Sequence, residues 1–111
     1  MDCLFCKFAQ NEIKVDFVAE NDRAFAINDI NPVAPSHFLI IPKDHFENAG
    51  EMASRDPGAL VGIFDLLNQL TGSLEIASYR TVFNTGGEAG QSIFHAHLHV
   101  LAGRPLQWPP G

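Results

Sequence analysis

Three histidines, His95, His97 and His99, stand at i, i+2 and i+4, separated by Ala96 and Leu98 and followed by Val100 and Leu101. On a β-strand alternate side chains point to opposite faces, so this spacing predicts three imidazoles on one face and Ala96, Leu98 and Val100 turned into a core. A helix would scatter the same residues, because helical neighbours lie three or four apart. The chain has five histidines, and three of them fall here. We read the row as imidazoles presented to a phosphate or a metal rather than as an accidental surface cluster. Imidazole titrates near ~6.5, so near pH 7 a neutral ring can act as a nucleophile while a neighbouring imidazolium neutralises a phosphoryl oxygen.

The stretch before the row carries Gly86, Gly87 and Gly90. Such a loop can turn successive backbone N–H groups inward as a nest for an anion. A phosphate bound by Gly90, Gln91 and Ser92 would then lie beside His97. Cys3 and Cys6, the only cysteines, form a C-x-x-C pair. A disulfide closing so small a loop adds little chain-entropy stabilisation, which points to metal binding or plain reduced thiols.

These residues need elements to position them. Residues 4–10 read as a helical turn with Leu4, Phe5 and Phe8 on its apolar side. Residues 15–20 and 24–27 read as two strands of a hairpin turned at Asn21-Asp22. Residues 37–41 form a short apolar strand stopped by Pro42, residues 79–83 a fourth strand, and the histidine segment 95–101 a fifth. Between them Asp56 can cap a helix that starts at Pro57, where the missing N–H does no harm. Leu60, Ile63, Phe64, Leu66, Leu67, Leu70 and Leu74 span an arc of roughly 160° at about 100° per residue. That is wider than one sheet face demands, so part of it is expected against a second subunit. Trp108-Pro109-Pro110-Gly111 should lie extended on a surface. The order β-β-β-α-β-β predicts an α+β domain on an antiparallel sheet.

At 111 residues the expectation is one domain spanning 1–111. Seven Lys+Arg against 13 Asp+Glu give a net charge of −6, a poor field for nucleic acid. No apolar run approaches the ~20 residues of a membrane span. Met1-Asp2-Cys3 lacks the basic-then-apolar pattern of a secretory signal, so a cytoplasmic protein is expected.

The segment His95-Ala96-His97-Leu98-His99-Val100-Leu101 resembles the histidine-triad (HIT) pattern, His-x-His-x-His followed by two apolar residues. The resemblance extends over Leu4-Phe5-Cys6-Lys7, Asn28-Asp29-Ile30, Ala34-Pro35-Ser36-His37-Phe38-Leu39-Ile40-Ile41-Pro42, Gly90-Gln91-Ser92 and the Trp108-Pro109-Pro110-Gly111 ending. The Gln-Ser pair and the ending look like the Hint branch rather than the Fhit branch. The resemblance implies a HIT-like fold: a five-stranded antiparallel sheet, one main helix and a short N-terminal helix, dimerising into a continuous ten-stranded sheet. It also implies a purine nucleoside phosphoramidase. His97 would be the nucleophile that takes the nucleotidyl group, His99 would contact phosphate, His37 would support the row, and Ser92 would help the amine leave. Asp29 would hold the ribose hydroxyls, Asn84 and Gln91 would bind phosphate or ribose oxygens, and Leu4, Phe5, Phe8, Ile27 and Ile30 would form the purine cleft. Some bacterial relatives hold zinc in a pattern that Cys3, Cys6, His45 and His95 match, a common tetrahedral donor set; no organic cofactor is implied. Ile27 and Asn28 stand where the family has bulkier residues, and Ala89 where glycine is common. The alternatives are a Fhit-type dinucleoside polyphosphate hydrolase, a nucleotide- or zinc-binding interaction module, and a zinc held by the histidine row itself.

Overall fold

The computed structural model describes residues 3–111; Met1 and Asp2, part of the segment read for a secretory signal, lie outside the described residues. Five antiparallel strands form one sheet: β1 (Ala19–Glu20), β2 (Ala24–Asn28), β3 (Ser36–Pro42), β4 (Arg80–Val82) and β5 (Leu98–Ala102), in the order β1-β2-β3-β5-β4. Three helices accompany it: α1 (Leu4–Ala9), α2 (Ala49–Arg55) and α3 (Pro57–Ser73). The fold is the expected α+β HIT arrangement. None of the described helices is long and apolar enough to cross a membrane.

The sheet sorts its side chains by parity. Ala24, Ala26, Phe38, Ile40, Leu98 and Val100 face α3 and pack on Ile63, Leu66, Leu67 and Leu70. Phe25, Ile27, Leu39 and Ile41 face the other way, with Cys3 and Phe5 of the N-terminal segment. α1 is only six residues long, so it covers part of this second face and leaves the rest open. The register makes the open part: Ile27 pairs with Leu39, and Leu39 pairs with His99.

Three local expectations are corrected. The hairpin's first strand is confined to Ala19–Glu20, because Val15 and Phe17 pack into the core beneath α1, Phe17 stacked 4.6 Å from Phe25. The histidine segment becomes strand only at Leu98; before it, the Ala96 N–H goes to the Phe46 carbonyl at 2.7 Å. The alternation nevertheless persists, with Ala96 buried on the α3 side. Finally, Asp56 makes no side-chain cap on α3, because its carboxylate pairs with Arg23.

Helix α2 was not anticipated. It carries one buried residue, Met52, so it has no apolar periodicity to read. Its signal is at the N-terminus, where Asn48 Oδ1 accepts the Glu51 N–H at 2.9 Å and the Glu51 carboxylate accepts the Glu47 N–H at 3.0 Å.

The α3–hairpin contact is close enough to reverse an ordinary helix preference. A Cβ at Gly62 would stand 2.6 Å from Arg23 Cβ, whereas one at Gly72 meets nothing within 4 Å. Glycine to alanine inside a helix normally gains about 1 kcal/mol, while overpacking a tight contact costs about 1–3 kcal/mol. Urea unfolding should therefore show Gly62→Ala destabilising and Gly72→Ala stabilising the chain. Equal signs for the two would mean that the approach at Arg23 is not tight.

Candidate functional site

The open part of the second face is a cleft of about 390 Å³, within the size range of small-molecule sites. Its floor comes from Ile27, Leu39 and His99, and Leu4, Phe5 and Phe8 of α1 form one wall. Asp29 and Ile30 close a second side, while Asn84, Gly90 and Ser92 close a third, with His97 exposed to the cavity between them. Val15, Asn28, Asn31, Leu39 and Ile93 also line it and were not anticipated. Leu39 had a legible signal, since it shares strand parity with His37; Val15 and Ile93 lie outside any regular strand and had none.

The backbone fixes what each imidazole offers. A neutral ring carries one N–H and one lone pair, so a single backbone partner decides the other nitrogen. His97 Nδ1 lies 2.8 Å from the His95 carbonyl. An oxygen there requires Nδ1–H, which leaves Nε2 with a lone pair. His95 Nε2 lies 2.8 Å from the Pro42 carbonyl, so its lone pair is on Nδ1. His37 is the reverse case: its Nδ1 accepts the Val33 N–H at 3.1 Å, so Nε2 carries the proton. That nitrogen is 2.9 Å from His99 Nδ1.

His37 does not line the cleft. It sits behind His99, with a side chain only 5% exposed, and faces Asp29 Oδ2 at 3.3 Å. Burial, followed by repulsion from His97 and His37, lowers His99 to about 4, against a small opposing pull from Asp29. His99 is therefore a neutral hydrogen-bond donor near pH 7, which replaces the imidazolium expected at the phosphate.

The glycine loop also differs from expectation. The Gly90 and Gln91 N–H groups bond to the Gly87 and Gly86 carbonyls at 3.1 and 3.0 Å, so they close the loop on itself and do not form an open nest. Gln91, expected to contact phosphate or ribose, is 4% exposed. Its Nε2 donates to the Glu47 and Ile93 carbonyls and its Oε1 accepts the Gly86 N–H. It staples the loop to the segment before α2. Gly90 adopts φ +102°, a conformation that favours glycine.

A second cluster adjoins the first. Cys3, Cys6, His45 and His95 bring four ligand atoms within 4.8 Å of one another, a group able to hold a metal ion. Cys3 also caps α1, its Sγ accepting the Cys6 N–H. Both cysteines are free thiols. Burial, and then the neighbouring Cys3, push the Cys6 thiol up to about 11; a bound cation would reverse that balance and favour thiolate. Asp29, His37 and His99 form another such group by proximity, but the proton on His37 Nε2 occupies the position a ligand lone pair would need.

Comparison with known proteins gives a consistent result. The family model described as HIT domain matches residues 10–106. An uncharacterized HIT-like protein of Synechococcus elongatus is 42% identical over 112 residues, covering 99% of this chain and 97% of that protein. A HIT family hydrolase from Legionella pneumophila superposes with a TM-score of 0.90 at 42% identity, covering 99% of this chain and 100% of that one. A histidine triad nucleotide-binding protein from Candida albicans gives a TM-score of 0.81 at 29% identity, covering 97% and 83%.

Proposed function

This chain belongs to the HIT domain family, and from that premise we propose that it hydrolyses purine nucleoside 5′-phosphoramidates, releasing a nucleoside monophosphate and an amine. One observation carries the reading: His97 faces the cleft with its Nδ1–H tied to the His95 carbonyl. The remaining Nε2 lone pair is the nucleophile. It attacks the α-phosphorus, forming an N–P bond to His97 as the P–N bond to the amine breaks. Ser92, on the cleft wall, relays a proton to the departing nitrogen. Water then attacks phosphorus, breaks the bond to His97 and restores the ring. Splitting the displacement in this way is the gain from covalent catalysis.

The other roles follow from the cleft. His99 donates its N–H to a phosphoryl oxygen, a fixed dipole that needs no reorganisation. Asp29 accepts from the ribose hydroxyls, Asn84, Gly90 and Ser92 border the phosphate, and the purine lies among Leu4, Phe5, Phe8, Ile27 and Ile30. The chain's likeness to a HIT family hydrolase and to a histidine triad nucleotide-binding protein supports a nucleotide substrate. Free Cys3 and Cys6 suit a reducing compartment, the cytoplasm. The chain acts as a single domain over residues 1–111.

His97→Asn should lower turnover of adenosine 5′-phosphoramidate by about 10³-fold or more while AMP binding stays within about threefold. Retained turnover removes the mechanism. Turnover of diadenosine polyphosphates in preference to phosphoramidates would assign the chain to the Fhit type instead.

We also propose that Cys3, Cys6, His45 and His95 hold a structural zinc. A tetrahedral zinc with bonds of about 2.3 Å to sulfur and 2.0–2.1 Å to nitrogen would set S···N near ~3.6 Å and N···N near ~3.3 Å. The corresponding separations are 3.4, 3.4 and 3.5 Å for S···N and 3.2 Å for N···N. The Nδ1 lone pair of His95 is directed by Pro42 toward that point. The ion would supply a structural tie between α1 and the segment carrying His97. Elemental analysis should find one zinc per chain, lost in a Cys3→Ser, Cys6→Ser variant whose melting temperature falls by about 5–10 °C. Zinc that survives both changes would belong to the histidine row.

The active unit is proposed to be a homodimer. β4 lies at one end of the sheet order, and part of the broad apolar arc is uncovered, with Phe64 39% and Leu74 51% exposed. Sedimentation at micromolar concentration should give twice the chain mass, and a monomer would overturn this.

A further inference from the structure

The site contains a line of hydrogen bonds that ends on a group unable to pass a proton. The Val33 N–H donates to His37 Nδ1 at 3.1 Å, and His37 Nε2 is 2.9 Å from His99 Nδ1. An amide N–H does not give up its proton, so His37 cannot be reloaded at Nδ1 if it loses the proton at Nε2. The line can therefore orient protons but cannot relay them. His99 Nδ1 must accept, and the N–H that His99 offers to the cleft is the one on Nε2.

The His37 proton has a second claimant. Asp29 Oδ2 lies 3.3 Å from His37 Nε2, and Asp29 itself lines the cleft. Its other oxygen is engaged by the Asn31 N–H at 2.8 Å. Its backbone N–H bonds the His37 carbonyl at 2.9 Å, so carboxylate and imidazole are held at fixed separation. The hydrogen bond goes to His99, and the Asp29 charge, that close to the same N–H, pulls against it. A ligand that donates hydrogen bonds to Asp29 Oδ2 draws that oxygen off and leaves the proton to His99.

We infer that Asp29 is a positioning residue that couples recognition of the sugar's vicinal diol to the phosphate-facing hydrogen bond of His99, through His37. The inference rests on the nucleotide reading above and adds a consequence to it. The diol does more than hold the substrate: it strengthens the His37-to-His99 bond and, through it, the acceptor–donor polarity of His99. The ribose then contributes to the rate of phosphoryl transfer at a centre it does not touch. Bonds in such a chain polarise one another, and the effect is realised where charge develops on the phosphoryl oxygens.

The unaltered chain is compared on adenosine 5′-phosphoramidate and its 2′,3′-dideoxy analogue. Coupling predicts that removing the diol lowers kcat by about 10-fold, beyond any rise in KM. In Asp29→Asn, which keeps the side chain's size and removes the competing charge, kcat should lose its sensitivity to the diol. A change confined to KM overturns the coupling and leaves the phosphoramidase reading intact. A readout without turnover comes from imidazole ¹⁵N spectra with AMP or 2′,3′-dideoxy-AMP bound. His99 should carry its proton on Nε2 in both complexes, and the His37 and His99 nitrogens should shift further with AMP than with 2′,3′-dideoxy-AMP. A His99 protonated at Nδ1, or identical spectra in the two complexes, overturns the inference. Failure to bind either nucleotide overturns the nucleotide reading itself, and the coupling with it.

Discussion

The site depends on the bond between His97 Nδ1–H and the carbonyl of His95, two residues before it. A side chain bonding its own backbone neighbour needs no distant partner, and it holds in any state that preserves the local chain path. The same device recurs with different polarity. A carbonyl, that of Pro42, turns the His95 lone pair outward at Nδ1, and an amide, that of Val33, turns the His37 proton outward at Nε2. Three chemically different presentations, a lone pair facing the cleft, a lone pair facing the cysteines and an N–H facing His99, are thus made from one residue type by the choice of backbone partner. None of them requires a charged imidazole. That suits their surroundings, because burial holds both His95 and His99 near 4 and an imidazolium there would be the unfavourable form.

The asymmetry of the sheet makes these contacts possible. One face is filled by α3 and its leucines, which leaves the strands rigid enough to aim side chains on the other. The second face is only partly covered by α1, and the uncovered part is where His97 and His99 emerge. The glycine loop closes the cleft without supplying an anion nest, since its own carbonyls take up the N–H groups of Gly90 and Gln91. Gln91 then acts as an internal staple, which explains its burial in a loop otherwise open to solvent.

The direction of the histidine row was legible because it needs only a period of two, and that alternation survives even where the ladder does not begin until Leu98. The Cys3, Cys6, His45, His95 group and the apolar lining at Leu4, Phe5, Phe8 and Ile27 were reached through family resemblance, which covers most of the chain. Other features depend on where distant backbone atoms fall. Nothing in the identity of His99 reveals that His37 stands behind it, or that Val33 decides its hydrogen-bonding sense. Gln91 reads as a polar loop residue until Glu47 is brought against it. Helix α2 escaped because a seven-residue helix with one buried side chain has no pattern to detect. Asp56 misled because Arg23, remote in sequence, competes for the carboxylate that a local rule assigns to capping.

His95 shows how these parts constrain each other. Its Nε2 is fixed to the end of β3, its carbonyl holds the His97 tautomer, and its Nδ1 faces both N-terminal sulfurs. Phe5 closes the circuit, packing edge-on against His95 and His97 at 5.8 and 5.1 Å. A six-residue helix such as α1 has no stability of its own in water, and burying one phenylalanine supplies only about 2–3 kcal/mol. The wall of the cleft is therefore held both by the sheet's apolar face and by residues that also set the His97 ring. An α1 displaced from the sheet would lose one wall of the cleft and the ring contacts of Phe5 with His95 and His97 together. The cysteine pair and the histidine row are thus structurally joined through His95 and Phe5.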